Sequence, residues 1–393
     1  MACMDRLTCV VMPYAWGSRR AIAELQGRPA PTSPEAELWM GAHPLAPSTL
    51  VRGGAELTLL DCIEADPERE LGPASARFGR HLPFLMKILA AEQPLSLQAH
   101  PDLAQAKDGF AREDALGIPR SAPHRSYKDA SHKPELLAAL TPFDALLGFR
   151  TPSEIRTLFR SLPAPRLASL EAHLDQPEPL RAIFAHLMHL PADDASALVD
   201  EVTRAASAPG SFPRERDLVR RLAALYPGDR GVVTALLLNL VHLEPGDAIF
   251  LAARTLHAYL GGTGVEIMAS SDNVLRGGLT PKHVDVAELA RVLAFEPTAP
   301  AVLRAREVDG APGELVYDAP ALEFSLSLLE VDGAITPTRS GPEILFVSDG
   351  AVHAGSARLA RGDVAYVPAS DPPYTLRGRG RVFRAKVGED PGG

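Results

Sequence analysis

Residues 82–102 read LPFLMKILAAEQPLSLQAHPD, an apolar run that leads into a Gln-x-His pair standing directly before a proline. Side chains alternate faces along a β-strand, so Ser96, Gln98 and His100 project to one side while Leu95, Leu97 and Ala99 pack on the other. Pro101 cannot donate a ladder hydrogen bond, which ends the strand and leaves His100 at its rim. A metal or substrate site is expected to hang from that rim.

The chain of 393 residues is too long for one compact core and predicts two or three domains. A formal charge of -9 with no basic block leaves no footprint for nucleic acid, so an anionic ligand has to be met by a few local cations. A small phosphorylated molecule suits this balance better than a polymer. Cys3, Cys9 and Cys62 form no C-x-x-C pair, which points to neither a disulfide framework nor a thiolate metal site and makes the cytoplasm the default location. The N-terminal stretch has no signal-peptide pattern, and the apolar run 231–243 is too short to span a bilayer, so no membrane association is expected.

Upstream of the opening stretch, residues 1 to about 80 carry short apolar runs, Leu7 to Met12 and Leu57 to Leu60 among them, between turn signals. This is β-rich spacing. Both tryptophans lie here, in YAWGS (14–18) and AELWMGAHP (36–44), where rings beside Gly and Pro serve either as core plugs or as walls of a sugar pocket. His43, alone before a proline, is not assigned to a site. Downstream, a polar segment precedes SYKDASHKPELLAAL (126–140), which sets His132, Lys133 and Glu135 just ahead of an apolar run. Taken alone, Glu135 reads as a solvated charge.

From Thr151 the periodicity becomes helical. Thr151 and Glu154 are spaced as a capping box, and Ile155, Leu158 and Phe159 open a series continued by Leu180, Ile183, Leu187, by Leu198, Val199, Val202 and by Leu218, Leu222, Leu225. His173, His186 and His189 lie in this all-α insertion without accompanying carboxylates and read as packing or surface residues. β character returns in LEPGDAIFLAARTLHAYLGG (243–262): a turn at 245–247, a strand over 248–252, then His257. A turn, a strand and one histidine facing back is the shape of the second half of a cupin metal site. In SSDNVLRGGLTPKHVDVAELARVL, Thr280 and Pro281 read as N-cap and first position of a helix over 284–293, with Arg276 and Lys282 placed to meet a phosphate near its start. Residues 344–370 repeat the Gly-Asp, strand, Val-Pro rhythm with no histidine after Asp363, a second barrel expected to be metal-free.

Three separated segments therefore supply Gln98 and His100, then Glu135, then His257. Two imidazoles with a carboxylate suit Zn²⁺ and also suit non-haem Fe²⁺ with open positions. YAWGS, ELWMGAHP, LPFLMKILAAEQPLSLQAHPD, YKDASHKPE and the stretch from LEPGD to PKHVDV resemble, in order and spacing, the type I mannose-6-phosphate isomerases. The resemblance implies a mainly β protein with an α-helical insertion: a catalytic zinc cupin (jelly-roll) barrel over 1–150 and 236–297, a helical domain over 151–235, and a second cupin-like β domain over 298–393. It implies one zinc per chain on Gln98, His100, Glu135 and His257, a catalytic arginine at Arg276, and pocket residues at Lys87, Ser96, Lys133, Tyr259 and Lys282, with Ser96 and Lys282 the phosphate contacts. Trp16 of the YAWGS motif joins the pocket, and His132 or Lys133 would move protons.

The reaction so implied interconverts mannose 6-phosphate and fructose 6-phosphate through a cis-enediol, linking mannose to glycolysis and to GDP-mannose precursors. A monomer or weak dimer is the expected assembly. Two other readings remain at this level, an Fe²⁺ cupin oxygenase and a non-catalytic sugar-phosphate-binding cupin.

Overall fold

Strand Phe84–Ala91 shows how the molecule is layered, because every one of its residues is buried. Phe84, Met86, Ile88 and Ala90 face one apolar core, whereas Leu85, Lys87, Leu89 and Ala91 point the other way, into a barrel. A strand covered on both faces reads as a continuous apolar run rather than an alternating one. That is why this segment stands out in the sequence. The computed structural model describes residues 4–389, so Cys3 lies outside the described residues.

Two antiparallel sheets enclose the barrel and share one long strand, His257–Ala269. In the first sheet the neighbours run Leu303–Arg304, Asp247–Leu251, Glu135–Ala139, His257–Ala269, Phe84–Ala91, Glu37–Met40 and Val10–Met12. In the second, the early part of the shared strand pairs with Phe143–Phe149 and Leu97–Ala99, which lead on to Leu238–Leu243 and Leu275–Gly278. The strand changes sheets at a register irregularity between Tyr259 and Gly261, beside Gly262 at φ 124°. A Cβ at Gly262 would lie 2.6 Å from both the Phe143 ring and the Pro142 carbonyl oxygen, so only glycine fits this corner.

The outer face of the second sheet, with Leu97, Ala99, Leu146, Ala258 and Leu275, packs against the helical insertion in one core. That insertion comprises Pro152–Ser161, Pro165–Glu171, Pro179–His189, Ala192–Ser207 and Pro213–Leu225. The expected Thr151–Glu154 capping box is formed. Leu225 departs from the expected apolar face and is exposed at its helix end. The outer face of the first sheet packs on a third, eight-stranded sheet through Leu326, Ile344, Phe346, Val364, Tyr366 and Phe383. Two strands cross the divisions drawn along the chain: Asp5–Leu7 pairs with Val364–Val367 in the third sheet, and Leu303–Arg304 edges the first.

Three local expectations are corrected. The first 80 residues are not purely β-rich, because helices Leu59–Ala65, Pro67–Leu71 and Ala74–Phe78 follow one another, the first two capped by Thr58 and Asp66. The polar segment after Asp102 is helix Leu103–Ala115, started by a capping box in which Asp102 accepts from the Gln105 N–H. The helix placed at Thr280–Pro281 begins later, at Val286, because Asp285 takes the Glu288 N–H while the Thr280 hydroxyl oxygen accepts from the nearby Lys282 N–H.

Candidate active site

The alternation that buries Leu97 and Ala99 against the helices turns Gln98 to the barrel interior, in register with His257 on one neighbouring strand and Arg276 on the other. His100 follows at the strand end, with only 1% of its surface exposed. Glu135 opens the strand opposite and is similarly buried. One ligand atom from each of His100, Glu135 and His257 lies within 4.8 Å of the other two.

The histidines are oriented from behind. His100 Nδ1–H donates to the Asn273 carbonyl at 2.6 Å and His257 Nδ1–H to the Thr255 carbonyl at 3.0 Å, which leaves both Nε2 lone pairs facing inward. His100 Nε2, His257 Nε2 and Glu135 Oε2 are buried with no hydrogen-bond partner among the described residues. Orphaned polar atoms on three strands are costly unless something binds them. Burial lowers His257 to about 4, with the adjacent His100 adding to the effect, so its ring is neutral at physiological pH. Burial alone would raise Glu135, but Lys133, His100 and His257 outweigh it and hold the carboxyl well below its ordinary range. A neutral imidazole beside an ionised carboxylate is the protonation state that a divalent metal requires of such ligands.

Around this centre the remaining assigned residues fall into distinct settings. Lys133, 8% exposed, places Nζ 2.9 Å from Glu135 Oε1. Arg276 is half-buried, makes no ion pair or hydrogen bond among the described residues, and has its pKa lowered by desolvation. Burial and then the charge of Arg276 lower the pKa of Lys282, an exposed residue. Tyr259 is fully buried, with its hydroxyl unpartnered and its ring set edge-on to Phe143. Ser96 is half-buried just ahead of Gln98, and Trp16 is half-buried against the apolar lining that includes Tyr259. His132 is turned toward Glu323 of the third-sheet region rather than bonded within the cluster. A cavity of about 400 Å³ adjoins Lys282 and Thr280 but is otherwise lined from the helical side, by Met188, Ala192 and Ala195 among others, and reaches none of the three ligands.

Beside the expected pocket residue Lys87 stand contributors that were not assigned from the sequence, Glu266, Glu37 and Trp39, and Asn273 is a further one. Lys87 is ion-paired with Glu266 at 3.1 Å and Glu37 at 3.7 Å and lies over the Trp39 ring. Desolvation works against its charge, but Glu266, Glu37 and Glu135 more than offset this and raise its pKa. Trp39 is buried and donates to Glu37 at 2.6 Å, which makes it part of the interior wall. The wholly buried Asn273 accepts from the Lys128 N–H at 2.7 Å and donates to the Asp129 and Ser131 carbonyls at 2.8 Å, locking the segment before His132 to the loop behind His100. His43 contacts Asp272 at 3.4 Å and is not a ligand.

A jelly-roll barrel with two inward imidazoles and a carboxylate, a helical insertion on one side and an eight-stranded β sheet on the other, defines a cupin able to hold a metal ion. Residues 4–152 match the model for the phosphomannose isomerase type I catalytic domain and residues 164–238 that for its helical insertion domain. The chain belongs to the type I phosphomannose isomerase family. It is 41% identical over 391 residues to mannose-6-phosphate isomerase of Escherichia coli K12, covering 97% of this chain and 99% of that one. The human mannose-6-phosphate isomerase is 34% identical over 405 residues, 93% of each chain. Among solved structures, a point mutant of phosphomannose isomerase from Salmonella typhimurium and a zinc-bound mannose 6-phosphate isomerase each superpose with a TM-score of 0.90 at 38% identity, covering 99% of this chain and 100% of theirs.

Proposed function

We propose that this chain interconverts mannose 6-phosphate and fructose 6-phosphate at a zinc ion inside the first barrel. The observation that carries the reading is the convergence of three unpartnered buried donor atoms, on His100, Glu135 and His257, in a chain that belongs to this family along nearly its whole length. Gln98, His100, Glu135 and His257 would hold the ion, and bound zinc would supply positive charge beside the reacting oxygens.

The isomerisation moves a proton from C2 of the open-chain aldose to C1 of the ketose through a cis-enediol, while negative charge develops on oxygen. Arg276 is suited to stabilise that charge because no carboxylate among the described residues pairs with it and burial strengthens its field. Lys133, buried and directly beside Glu135, is assigned with His132 to moving protons. Lys87 is held by two carboxylates and lines the pocket together with Trp16 and Tyr259. Lys282 and Ser96 are assigned to the phosphate, for which the proximity of Arg276 to Lys282 provides two cations near one anion.

The reading carries with it a cytoplasmic enzyme acting as a monomer or weak dimer; no helix among the described residues is long and apolar enough to cross a membrane. A coupled assay for fructose 6-phosphate formed from mannose 6-phosphate, run on metal-quantified protein with and without chelator, tests it. Turnover is expected to vanish on chelation and return with zinc. Folded, zinc-loaded protein that binds mannose 6-phosphate without converting it would overturn the enzymatic reading, and a requirement for iron in place of zinc would overturn the metal.

A further inference from the structure

His132 immediately precedes Lys133, yet its partner comes from a different part of the molecule. Its Nε2 lies 2.7 Å from Oε1 of Glu323, 191 residues further along the chain. Glu323 sits in the connection between strands Ala311–Tyr317 and Ser325–Ile335 of the third sheet. The contact is sheltered, with side-chain exposures of 29% for His132 and 17% for Glu323. On either side of Glu323 the chain is pinned, because Ala321 and Phe324 are buried in the core shared by the first and third sheets. Burial alone would raise the Glu323 carboxyl, but His132 and the backbone N–H groups of Glu323 and Leu322 outweigh it and hold it ionised. Its other oxygen, Oε2, is buried with no hydrogen-bond partner among the described residues, where His132 is the side chain to which this carboxylate is committed.

We infer that Glu323 is a positioning residue for the isomerase site and acts through His132, so that the third-sheet domain completes the catalytic barrel. The inference rests on the isomerase reading above. A carboxylate bound to Nε2 keeps the proton on that nitrogen of the neutral ring, leaves Nδ1 as the nitrogen with a free lone pair, and stabilises the imidazolium that forms when Nδ1 takes up a proton. The same contact fixes the start of the His132 to Glu135 segment, which also carries Lys133 and a proposed metal ligand. A surface latch would need none of this chemistry. Its loss would loosen the domains without a fall in turnover that depends on His132.

The test compares Glu323→Ala and Glu323→Gln in the wild-type and His132→Ala backgrounds, measuring kcat, KM and zinc content. Glu323→Ala is expected to lower kcat by roughly 10- to 100-fold with zinc content retained and KM changed less than about twofold. Glu323→Gln, which keeps an acceptor oxygen, should recover part of the loss. In the His132→Ala background Glu323→Ala should cost nothing more. Wild-type kcat in Glu323→Ala, or an equal loss in both backgrounds, would overturn the inference. Nitrogen NMR of labelled histidine, at a pH where the ring is neutral, reads the tautomer without any turnover: Nε2–H is expected in the parent and a mixture in Glu323→Ala. An unchanged tautomer overturns the inference, whereas absent turnover in the parent with the expected tautomer shift overturns only the isomerase reading.

Discussion

Lys87 and Arg276 are two cations lining one barrel, and their neighbours give them opposite roles. Lys87 lies opposite Glu266 in register and near Glu37, so most of its charge is neutralised where it stands. Arg276 has no such partner among the described residues and is desolvated. Its charge is therefore available to a developing oxyanion, and removing one such donor typically costs 10²–10³ in turnover. Arg276→Ala should lower kcat by about that factor with zinc content unchanged; a change in KM alone would assign it to ground-state binding instead. Lys133→Met should reduce turnover by at least about 10² while zinc stays bound, because Oε2 of Glu135, the oxygen without a partner, is not the one that Lys133 contacts. Substantial retained activity would remove Lys133 from proton transfer. The histidines were legible because each stands at the edge of an apolar run beside a proline or a turn, whereas Glu135, a solvated charge when taken alone, stood out only beside Gln98, His100 and His257 and through the family resemblance. Glu37 and Glu266 were not, since a lone glutamate in a strand reads as a solvated charge until the register sets it against Lys87.

Strand His257–Ala269 is the element on which the site depends, since it delivers His257 and Tyr259 to one sheet and Glu266 to the other. Its corner at Gly262 admits no Cβ without moving Pro142 or Phe143. Gly262→Ala should destabilise the protein by about 1–3 kcal/mol, read as a lower thermal midpoint, and should also cut turnover by re-aiming His257. An unchanged midpoint would mean that the corner relaxes freely. The long helices of the insertion were readable from capping and periodicity together. The helices between Leu59 and Phe78 are too short for a periodic signal, and their Pro and Gly breaks mimic strand punctuation. The helix after Asp102 did carry a legible sign, Asp102 with Gln105 three residues on, masked by its largely polar face. Thr280 followed by Pro281 was a false start because a threonine hydroxyl can satisfy a local turn as readily as a helix.

At the scale of the molecule, the first barrel and the eight-stranded third sheet are both antiparallel β structures with different chemistry inside. Where the barrel turns orphaned ligand atoms inward, the third sheet buries the Arg384 guanidinium between Glu343 at 2.6 Å and Glu314 at 2.8 Å, with Tyr374 donating to Glu343. All three charged groups are almost wholly buried. Arg384→Met leaves two buried carboxylates without their cation and should destabilise the protein by about 3–5 kcal/mol; a near-neutral effect on the unfolding midpoint would show the cluster to be dispensable. The expected division was a first barrel over 1–150 and 236–297, interrupted by helices over 151–235 and followed by a β domain over 298–393; strands Asp5–Leu7 and Leu303–Arg304 stitch the two β parts together through pairings whose partners are far apart in sequence. Such pairings leave no local signal.

The central claim is that the first barrel exists to present His100, Glu135 and His257, with Gln98 beside them, to one metal ion. Diffraction from zinc-replete crystals on either side of the zinc absorption edge tests it most directly. The account predicts a single anomalous peak, roughly 2.0–2.2 Å from Nε2 of both histidines and from a Glu135 carboxylate oxygen. An active, zinc-containing crystal with its peak elsewhere, or with none in the barrel, would contradict it.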